Sequence, residues 1–249
     1  GLYNPCERMD DNSLAIYFGG DNENYYFGKG KGGDQAGSDD RFDYLNNTSW
    51  TNRQLSDLAE YLAIDEYIDM CLLYCYSNPG DGPQYYYGNC NEPAGPVYFT
   101  AWDIEDSFEG GSVRTGPPVS METYNDGGKF TAYHRAKYNI DFKMKFADRA
   151  YKHCYNDGIL TDSNAGAVWD FLNQSIEKAI LCEIARWGDE RGNLYDYQHW
   201  LGEWKDVNDD IAGRANKLIT QLKNANMYPS TSPPVLKDGD EEITKTIVF

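Results

Sequence analysis

The chain has 249 residues, enough for one large domain, or for one domain and a fragment of another. Its 22 Lys and Arg stand against 40 Asp and Glu, a net charge of −18. That field excludes nucleic acid and anionic membranes as partners unless a local basic patch exists, and the sequence shows none. An anionic substrate would need a metal ion to offset it.

In chain order, Leu2–Tyr3 and Leu14–Phe18 are short apolar runs on either side of the polar stretch Glu7–Ser13. They read as two strands, or as a strand and a short helix. Gly28–Asp40 (GKGKGGDQAGSDD) reads as a flexible loop. Gly28, Gly30 and Gly33 look like a GxGxxG motif, but no helix opening on Lys-Ser/Thr follows, which argues against a phosphate-binding loop. Thr51 or Asn52 can cap a helix over Arg53–Leu62, with Leu55, Leu58, Ala59 and Leu62 on one face. A second helix runs from Asp65 to about Tyr76 and turns Ile68, Leu72 and Cys75 inward. Asn78-Pro79-Gly80 breaks it and delivers Asp81.

The chemistry concentrates between Tyr74 and Phe108. Gln84–Gly88 and Pro96–Ala101 are rich in Tyr, Val and Phe and flank the turn-forming stretch Asn89–Gly95, the pattern of a β-hairpin. A hairpin returns its outer ends to one side. Asp81 and Asp103, 22 positions apart in sequence, are therefore expected at the same end of the ribbon, with Glu105 and Asp106 close behind. Converging carboxylates can hold a divalent cation and leave one oxygen free as a base. Protein kinases use this layout, with a catalytic-loop Asp before a hairpin and a metal-holding Asp after it. The plainer alternative is a solvated acidic loop on an acidic protein.

Glu109 to about Ala132 is a long irregular stretch of the kind that is usually functional or mobile in a compact domain. Beyond it the pattern is helical to Met227. Tyr138, Phe142, Lys145, Phe146, Arg149 and Tyr151 mark one helix, which Asn156-Asp157-Gly158 ends. Thr161 or Asp162 can cap the next. Within Ala167–Trp187, Val168, Leu172, Ile176, Ile180 and Ile184 are expected to form a core stripe, and Glu183 and Arg186 a structural pair. Trp200–Asn224 supplies a last helix with Ile211, Leu218 and Leu222 inward. Trp200 and Trp204 are expected in the core. Pro229–Pro234 is a linker, and Glu242–Phe249 reads as a lone strand that needs partners. The chain opens at Gly1-Leu2-Tyr3 as if mid-strand and is expected to be part of a longer multidomain protein.

Six cysteines (Cys6, Cys71, Cys75, Cys90, Cys154, Cys182) without metal-type spacing suit disulfides in an oxidising compartment, with buried thiols as the rival reading. Twenty-one Tyr and 6 Trp point the same way, toward a rigid extracellular protein. Glycosylation sequons occur at Asn46–Ser49 and Asn173–Ser175. His134, His153 and His199 are too far apart for a metal trio to be expected. No apolar run is long enough to span a bilayer, so no membrane insertion is expected.

Several of these stretches resemble the CotH-type (spore-coat-protein-H-like) secretory kinases. LYNPCERMD is similar to that family's Gly-x-Tyr-x-x-x-Glu-x-x-Asp strand, and YFGGDNENY follows it. IDEYIDMCLLY resembles the helix leading into the family's Asn-x-Asp-Trp-Pro loop, here Asn78-Pro-Gly-Asp81-Gly-Pro83. VYFTAWDIEDSF resembles the Pro-Trp-Asp-x-Asp-x-x-Phe-Gly segment, while FKMKFADRAYKHCYNDGILT and IEKAILCEIARWGD resemble the helical C-terminal part. YPSTSPPVL looks like the join to a following β-sandwich domain.

The resemblance implies an α+β, atypical protein-kinase-like fold: a mainly helical C-lobe over residues 1–228 with a catalytic β-hairpin. The N-lobe is largely absent from this chain, and residues 229–249 form a linker and the first strand of the next domain. It implies a secreted or cell-surface enzyme that uses ATP with Mg²⁺ or Mn²⁺ to phosphorylate surface or coat proteins within a surface assembly. Asp81 matches the catalytic Asp, Asp103 the metal-holding Asp and Glu105 its second acidic position. Glu7 and Gln84 fall on the nucleotide side.

Three departures stand against the pattern. Gly82 replaces the Trp after the loop Asp, Gln84 stands near where a paired Asn is usual, and Glu105 replaces Asp. The Lys that would contact phosphate lies outside this chain, and Lys29 and Lys31 read as solvated loop residues. Asp81 with Glu105 as a glycosidase pair finds no further support. The rival of a different class is a catalytically inactive structural or adhesive module of a large surface protein.

Overall fold

The computed structural model describes residues 9–29, 40–79, 84–91, 93–102, 104, 107–108, 130–189 and 195–231, together with the backbone of 237–238 and 241–242. Among them the protein is mixed α and β, mostly helical, around a three-stranded antiparallel sheet. The elements are α1 (Asp11–Phe18), β1 (Tyr25–Lys29), α2 (Asp40–Asn47), α3 (Leu55–Ala59), α4 (Ile64–Ser77), β2 (Gln84–Cys90) and β3 (Tyr98–Trp102). Then follow α5 (Thr131–Ala136), α6 (Ile140–Cys154), α7 (Asp162–Trp187), α8 (Tyr197–Ile211), α9 (Arg214–Asn224), β4 (Lys237–Asp238) and β5 (Glu241–Glu242).

α4 is the axis of the core. Acidic Asp65 and Glu66 sit in its first turn, where the helix dipole favours them. It ends because Asn78 adopts a left-handed conformation (φ 50°) and donates its N–H to the Tyr74 carbonyl, with Pro79 blocking continuation. Tyr67, Ile68, Cys71, Leu72, Tyr74 and Cys75 are buried along it, so it is apolar on nearly every side and packs against β3, α6 and α9. Across the α4–α6 contact runs a charged ladder: Lys145 to Asp65, Arg149 to Asp65 and Asp69, and His153 to Asp69.

The expected hairpin is present, with β2 antiparallel to β3 and Gln84 opposite Trp102. Its neighbour β1 is a correction to the sequence reading. Gly28 does not open a loop; it is the fourth residue of a strand that pairs antiparallel with β2, Gly28 opposite Tyr87. A Cβ at Gly28 would lie 2.6 Å from Tyr87 Cζ, so the glycine serves a ring-to-backbone approach rather than flexibility. Lys29 likewise ends β1, half-buried, with its ammonium 5.7 Å from the Tyr86 ring centre.

Alternation divides the sheet's side chains. Tyr26, Tyr85, Tyr87 and Phe99 join the main core, while Tyr25 and Phe27 form a smaller cluster with Leu14 of α1. Phe42 stacks on Tyr87 at 3.8 Å, and Tyr67 lies 5.0 Å from Phe99. Much of the tyrosine content is therefore a packed aromatic core. Burial pushes the Tyr85 hydroxyl up to about 12 and Tyr67 well above its ordinary value. A phenol whose native pKa is raised contributes stability that is whole below the unfolded value near 10. That contribution is lost as pH rises through about 12. Alkaline titration followed by phenolate absorbance should show these rings ionising together with unfolding above pH about 10. Full ionisation of every tyrosine with native circular dichroism intact would contradict it.

Several helices differ from their expected bounds for local reasons. Leu14–Phe18 belongs to a helix, because Asp10 and Ser13 cap it reciprocally. The helix expected over Arg53–Leu62 is only α3. Asn139 caps α6, Thr161 caps α7, and Asn156 ends the α6 segment at φ 52°. Trp200–Asn224 is two helices, α8 and α9, broken where Gly213 turns left-handed (φ 71°) and donates its N–H to Asp162. Near the C-terminus β4 and β5 pair antiparallel. The rest of the expected final strand, residues 243–249, lies outside the described residues, as does 109–129 of the long irregular stretch.

α7 carries the largest correction. Its expected core stripe is not a core stripe: Val168 is 47% exposed and Leu172 51%, and the neighbouring Phe171 is 67% exposed. Residues four apart advance about 40° beyond a full turn on a helix of 3.6 residues per turn. The row from Val168 to Ile184 therefore winds from the outer face to the α8 face, where only Ile180 and Ile184 are half-buried. The contact with α8 is largely polar. Trp169 Nε1 donates to the Trp204 carbonyl (3.0 Å), and Asp170 accepts from Trp204 Nε1 (2.8 Å) and Asn208 (2.9 Å). Asn173 is buried beside them and donates to Trp169 O, which takes its side chain out of reach of glycosylation.

Cys90, Cys154 and Cys182 are free thiols, and Cys71 and Cys75 lie buried one turn apart on α4. Burial pushes the Cys154 thiol up to about 12, whereas Cys182 is exposed on α7. Thiolate is the reactive form. Brief alkylation of the native protein should therefore label Cys182 and spare Cys154 until denaturant is added. Peptide mass spectrometry showing equal native labelling would refute this.

Candidate active site

The hairpin is fixed at both ends. At its turn end, the Ala63 N–H bonds to the Val97 carbonyl (3.0 Å) and the Val97 N–H to the Tyr61 carbonyl (2.9 Å), tying β3 to the junction of α3 and α4. At the other end, the buried Tyr74 of α4 accepts the Trp102 N–H through its hydroxyl (3.2 Å). Trp102 also meets Tyr86 edge-on at 5.0 Å. The last rung of the ladder, Gln84 opposite Trp102, is thus held to the core helix.

Beyond Trp102 the described residues are anchors. Ile104 packs on the core, Ser107 Oγ donates to the Ile104 carbonyl, and Phe108 takes a left-handed conformation at φ 55°. A bulky residue there costs about 1–2 kcal/mol and persists only where surroundings over-determine it. Here they do: Tyr76 meets the Phe108 ring edge-on at 6.0 Å, and the Arg214 guanidinium lies 4.8 Å from its centre. Arg214 is only 1% exposed and donates Nε to the Tyr76 carbonyl. Burial presses its pKa below the ordinary value, while nearby Asp210 pushes back. The Tyr76 phenol is raised to about 12 by burial, which Arg214 partly offsets.

Of the site residues expected from sequence, Glu7, Asp81, Asp103 and Glu105 lie outside the described residues. Gln84 is placed by its backbone, as the first residue of β2. In sequence Asp81 stands three positions before Gln84, and Asp103 directly follows Trp102. Tyr74, Tyr76, Phe108 and Arg214 are the supporting residues that sequence reading did not find. Arg214 carried one usable signal: an arginine placed on the same helical face as Leu218 and Leu222 is a candidate buried cation.

The histidines go elsewhere. His153 bonds Asp69 (2.8 Å) and His199 lies 3.7 Å from Glu203. Among the described residues no three His, Cys, Asp or Glu side chains come together as a metal site. A groove of about 410 Å³ lies at the opposite, turn end of the sheet, lined by Leu14, Phe18, Tyr25, Cys90 and Tyr98. With β2 seven residues long, it is about 20 Å from the Gln84 end. Comparisons with protein-family models, with curated proteins and with solved structures found no match to this chain.

Proposed function

We propose that the protein is a kinase-like phosphotransferase whose site forms at the Gln84–Trp102 end of the β2–β3 hairpin. The observation that carries this reading is the register. Because Gln84 is opposite Trp102, the segments bearing Asp81 and Asp103 join the sheet at the same end. The resemblance to CotH-type secretory kinases supports it, as does the placement of α4 directly before the loop. Asp103 and Glu105 offer hard oxygen donors, which suit Mg²⁺ or Mn²⁺ and not softer metals. The bound ion would neutralise phosphate charge that a protein of net charge −18 otherwise repels. Asp81 is then the base that accepts the proton of a protein hydroxyl, and Gln84 and Glu7 lie toward ATP.

The same reading places the protein outside the cell, within a longer multidomain chain, acting on surface or coat proteins. No helix among the described residues is long and apolar enough to cross a membrane. The test is Mn²⁺-dependent ATP binding by calorimetry, together with transfer of labelled phosphate to protein, using the full-length protein. Saturable ATP binding that needs the metal is expected, and its absence at millimolar nucleotide ends the proposal.

One observation favours the second reading, a non-catalytic structural or adhesive module. The outward face of α7 exposes Val168, Phe171 and Leu172 together, as interaction surfaces do. In that case nucleotide binding fails while the fold is intact.

A further inference from the structure

We propose that α7 is a self-association helix, whose outward face pairs antiparallel with the same face of a second copy of this chain. The inference is independent of the chemistry proposed at the Gln84–Trp102 end. The helix stands out for how little of it is covered. Of its 26 residues only Asn173 is buried, and the element it chiefly packs against is α8. The two helices form an antiparallel hairpin. At its base Asp162, the first residue of α7, accepts the Gly213 N–H that follows α8 (2.7 Å). At its tip the Gly188 carbonyl that follows α7 accepts the Tyr195 N–H (2.8 Å). The seam between them uses Trp169, Asp170 and Glu177, the last accepting from the Tyr197 hydroxyl.

The face turned away from that seam has its own pattern. Val168, Leu172, Ser175, Ala179, Cys182 and Arg186 follow one another in alternating steps of four and three, the spacing that keeps a row straight along a helix and forms a coiled-coil seam. At 3.6 residues per turn this row lies about 150° round the helix from the residues that meet α8. All of it is exposed except Ala179, which is half-buried, and Phe171 and Ile176 widen its apolar part. From their exposed fractions, the apolar and small residues of this face leave roughly 500–600 Å² per copy. A symmetric pair covers about 1,000–1,200 Å², where specific interfaces begin. Charge selects the orientation. Pairing in parallel sets Arg186 beside Arg186 and brings together two bodies of net charge −18. Antiparallel pairing puts the bodies at opposite ends of a 26-residue helix, about 39 Å apart against a screening length of about 8 Å. The register that overlaps the whole row then sets Leu172 of one copy opposite Cys182 of the other, large against small. The charges bordering the row, Lys178 and Arg186 against Glu183, are of both signs, so the face itself does not repel a second copy.

The experiment uses the full-length protein with Leu172→Glu, Leu181→Glu and Leu172→Cys. Mass is followed by sedimentation from about 1 to 100 μM protein, alongside the alkylation rate of Cys182 read by peptide mass spectrometry. Wild type should pass from monomer to dimer over that range, and Cys182, readily labelled in dilute protein, should become about 10-fold slower to label at the top of it. Leu172 is exposed in the single chain, so Leu172→Glu should fold normally by circular dichroism. It should weaken the dimer by about 100-fold or more, because a two-fold interface takes the change twice, and should leave Cys182 equally reactive at every concentration. Leu181 is as exposed but lies nine positions on, half a turn round the helix, so Leu181→Glu should dimerise like wild type. Under diamide, Leu172→Cys should give a disulfide to Cys182 of the second copy, while wild type forms no Cys182–Cys182 bridge. Wild type that stays monomeric at about 100 μM overturns the inference. So does a dimer in which Cys182 labelling ignores concentration, since the contact is then elsewhere in the protein, or one that Leu172→Glu leaves intact. A Cys182–Cys182 bridge in wild type overturns the antiparallel pairing. ATP binding is measured separately, so failure here and failure of the kinase-like reading are distinguishable.

Discussion

Replacing Asn139 by alanine should cost about 3–5 kcal/mol, a large share of the 5–15 kcal/mol that stabilises a typical domain. Asn139 is 3% exposed, and its amide makes four hydrogen bonds to backbone. Its Oδ1 accepts the N–H groups of Asp141 (3.0 Å) and Phe142 (3.1 Å), capping α6. Its Nδ2 donates to the carbonyls of Trp50 (2.9 Å) and Arg53 (2.8 Å), tying α6 to the loop that carries the fully buried Trp50. Losing the cap costs about 1 kcal/mol, and each of the two carbonyls left unsatisfied about 1–2 kcal/mol.

Asn139→Asp separates the two halves of that cost. Aspartate caps as well as asparagine, but its ionised oxygen faces two carbonyls where a donor stood. Those carbonyls should raise its folded pKa above the unfolded value near 3.9. By linkage the variant is then closest to wild type in acid and loses stability as pH rises through that raised pKa. Urea unfolding at acid and neutral pH measures both effects. Asn139→Ala within about 1 kcal/mol of wild type would show that water replaces these bonds and that the tie is not structural.

The contrast between α4 and α7 shows what the sequence could and could not convey. α4 was legible because its apolar residues cover the helix nearly all round and Asn78-Pro79 stops it by backbone geometry alone. The hairpin was legible because aromatic runs on either side of a turn-rich stretch have few other uses. The α7 row misleads because residues four apart do not make a straight face, and sequence does not say which part of a winding row meets a neighbour. β1 is hidden for a related reason. Gly28 looks like loop chemistry until the Tyr87 ring that needs its missing Cβ is known, and that ring lies 59 positions on. Asp81, Asp103 and Glu105 are candidates by their types and by the hairpin between them, and they lie outside the described residues. The contacts around the hairpin's end were not legible: Tyr74 reaching Trp102 and Arg214 reaching Phe108 span 28 and 106 positions and are set by packing rather than by any local pattern.

Asp81 and Asp103 should fail differently when changed, and that difference is the sharpest test of the proposed chemistry. Asp81→Asn removes the group that would orient and deprotonate the attacking hydroxyl while leaving the carboxylates after β3 in place. Turnover should fall by about 10²–10⁴-fold, the range for losing a positioned base, with Mn²⁺·ATP affinity nearly unchanged. Asp103→Asn removes a charged oxygen donor from the metal side, so affinity for Mn²⁺·ATP and turnover should drop together. Glu105→Gln should give an intermediate loss if its longer side chain reaches the ion. The contrast follows from the proposed site: Gln84 is opposite Trp102, and of the two acids only Asp103 lies, in sequence, directly before the stretch that holds Ile104 and Phe108. Calorimetric ATP binding with and without Mn²⁺, alongside labelled phosphate transfer, reads affinity and turnover separately. Equal turnover in Asp81→Asn and wild type would remove Asp81 from the mechanism, and with it the kinase-like assignment of roles at this end of the sheet.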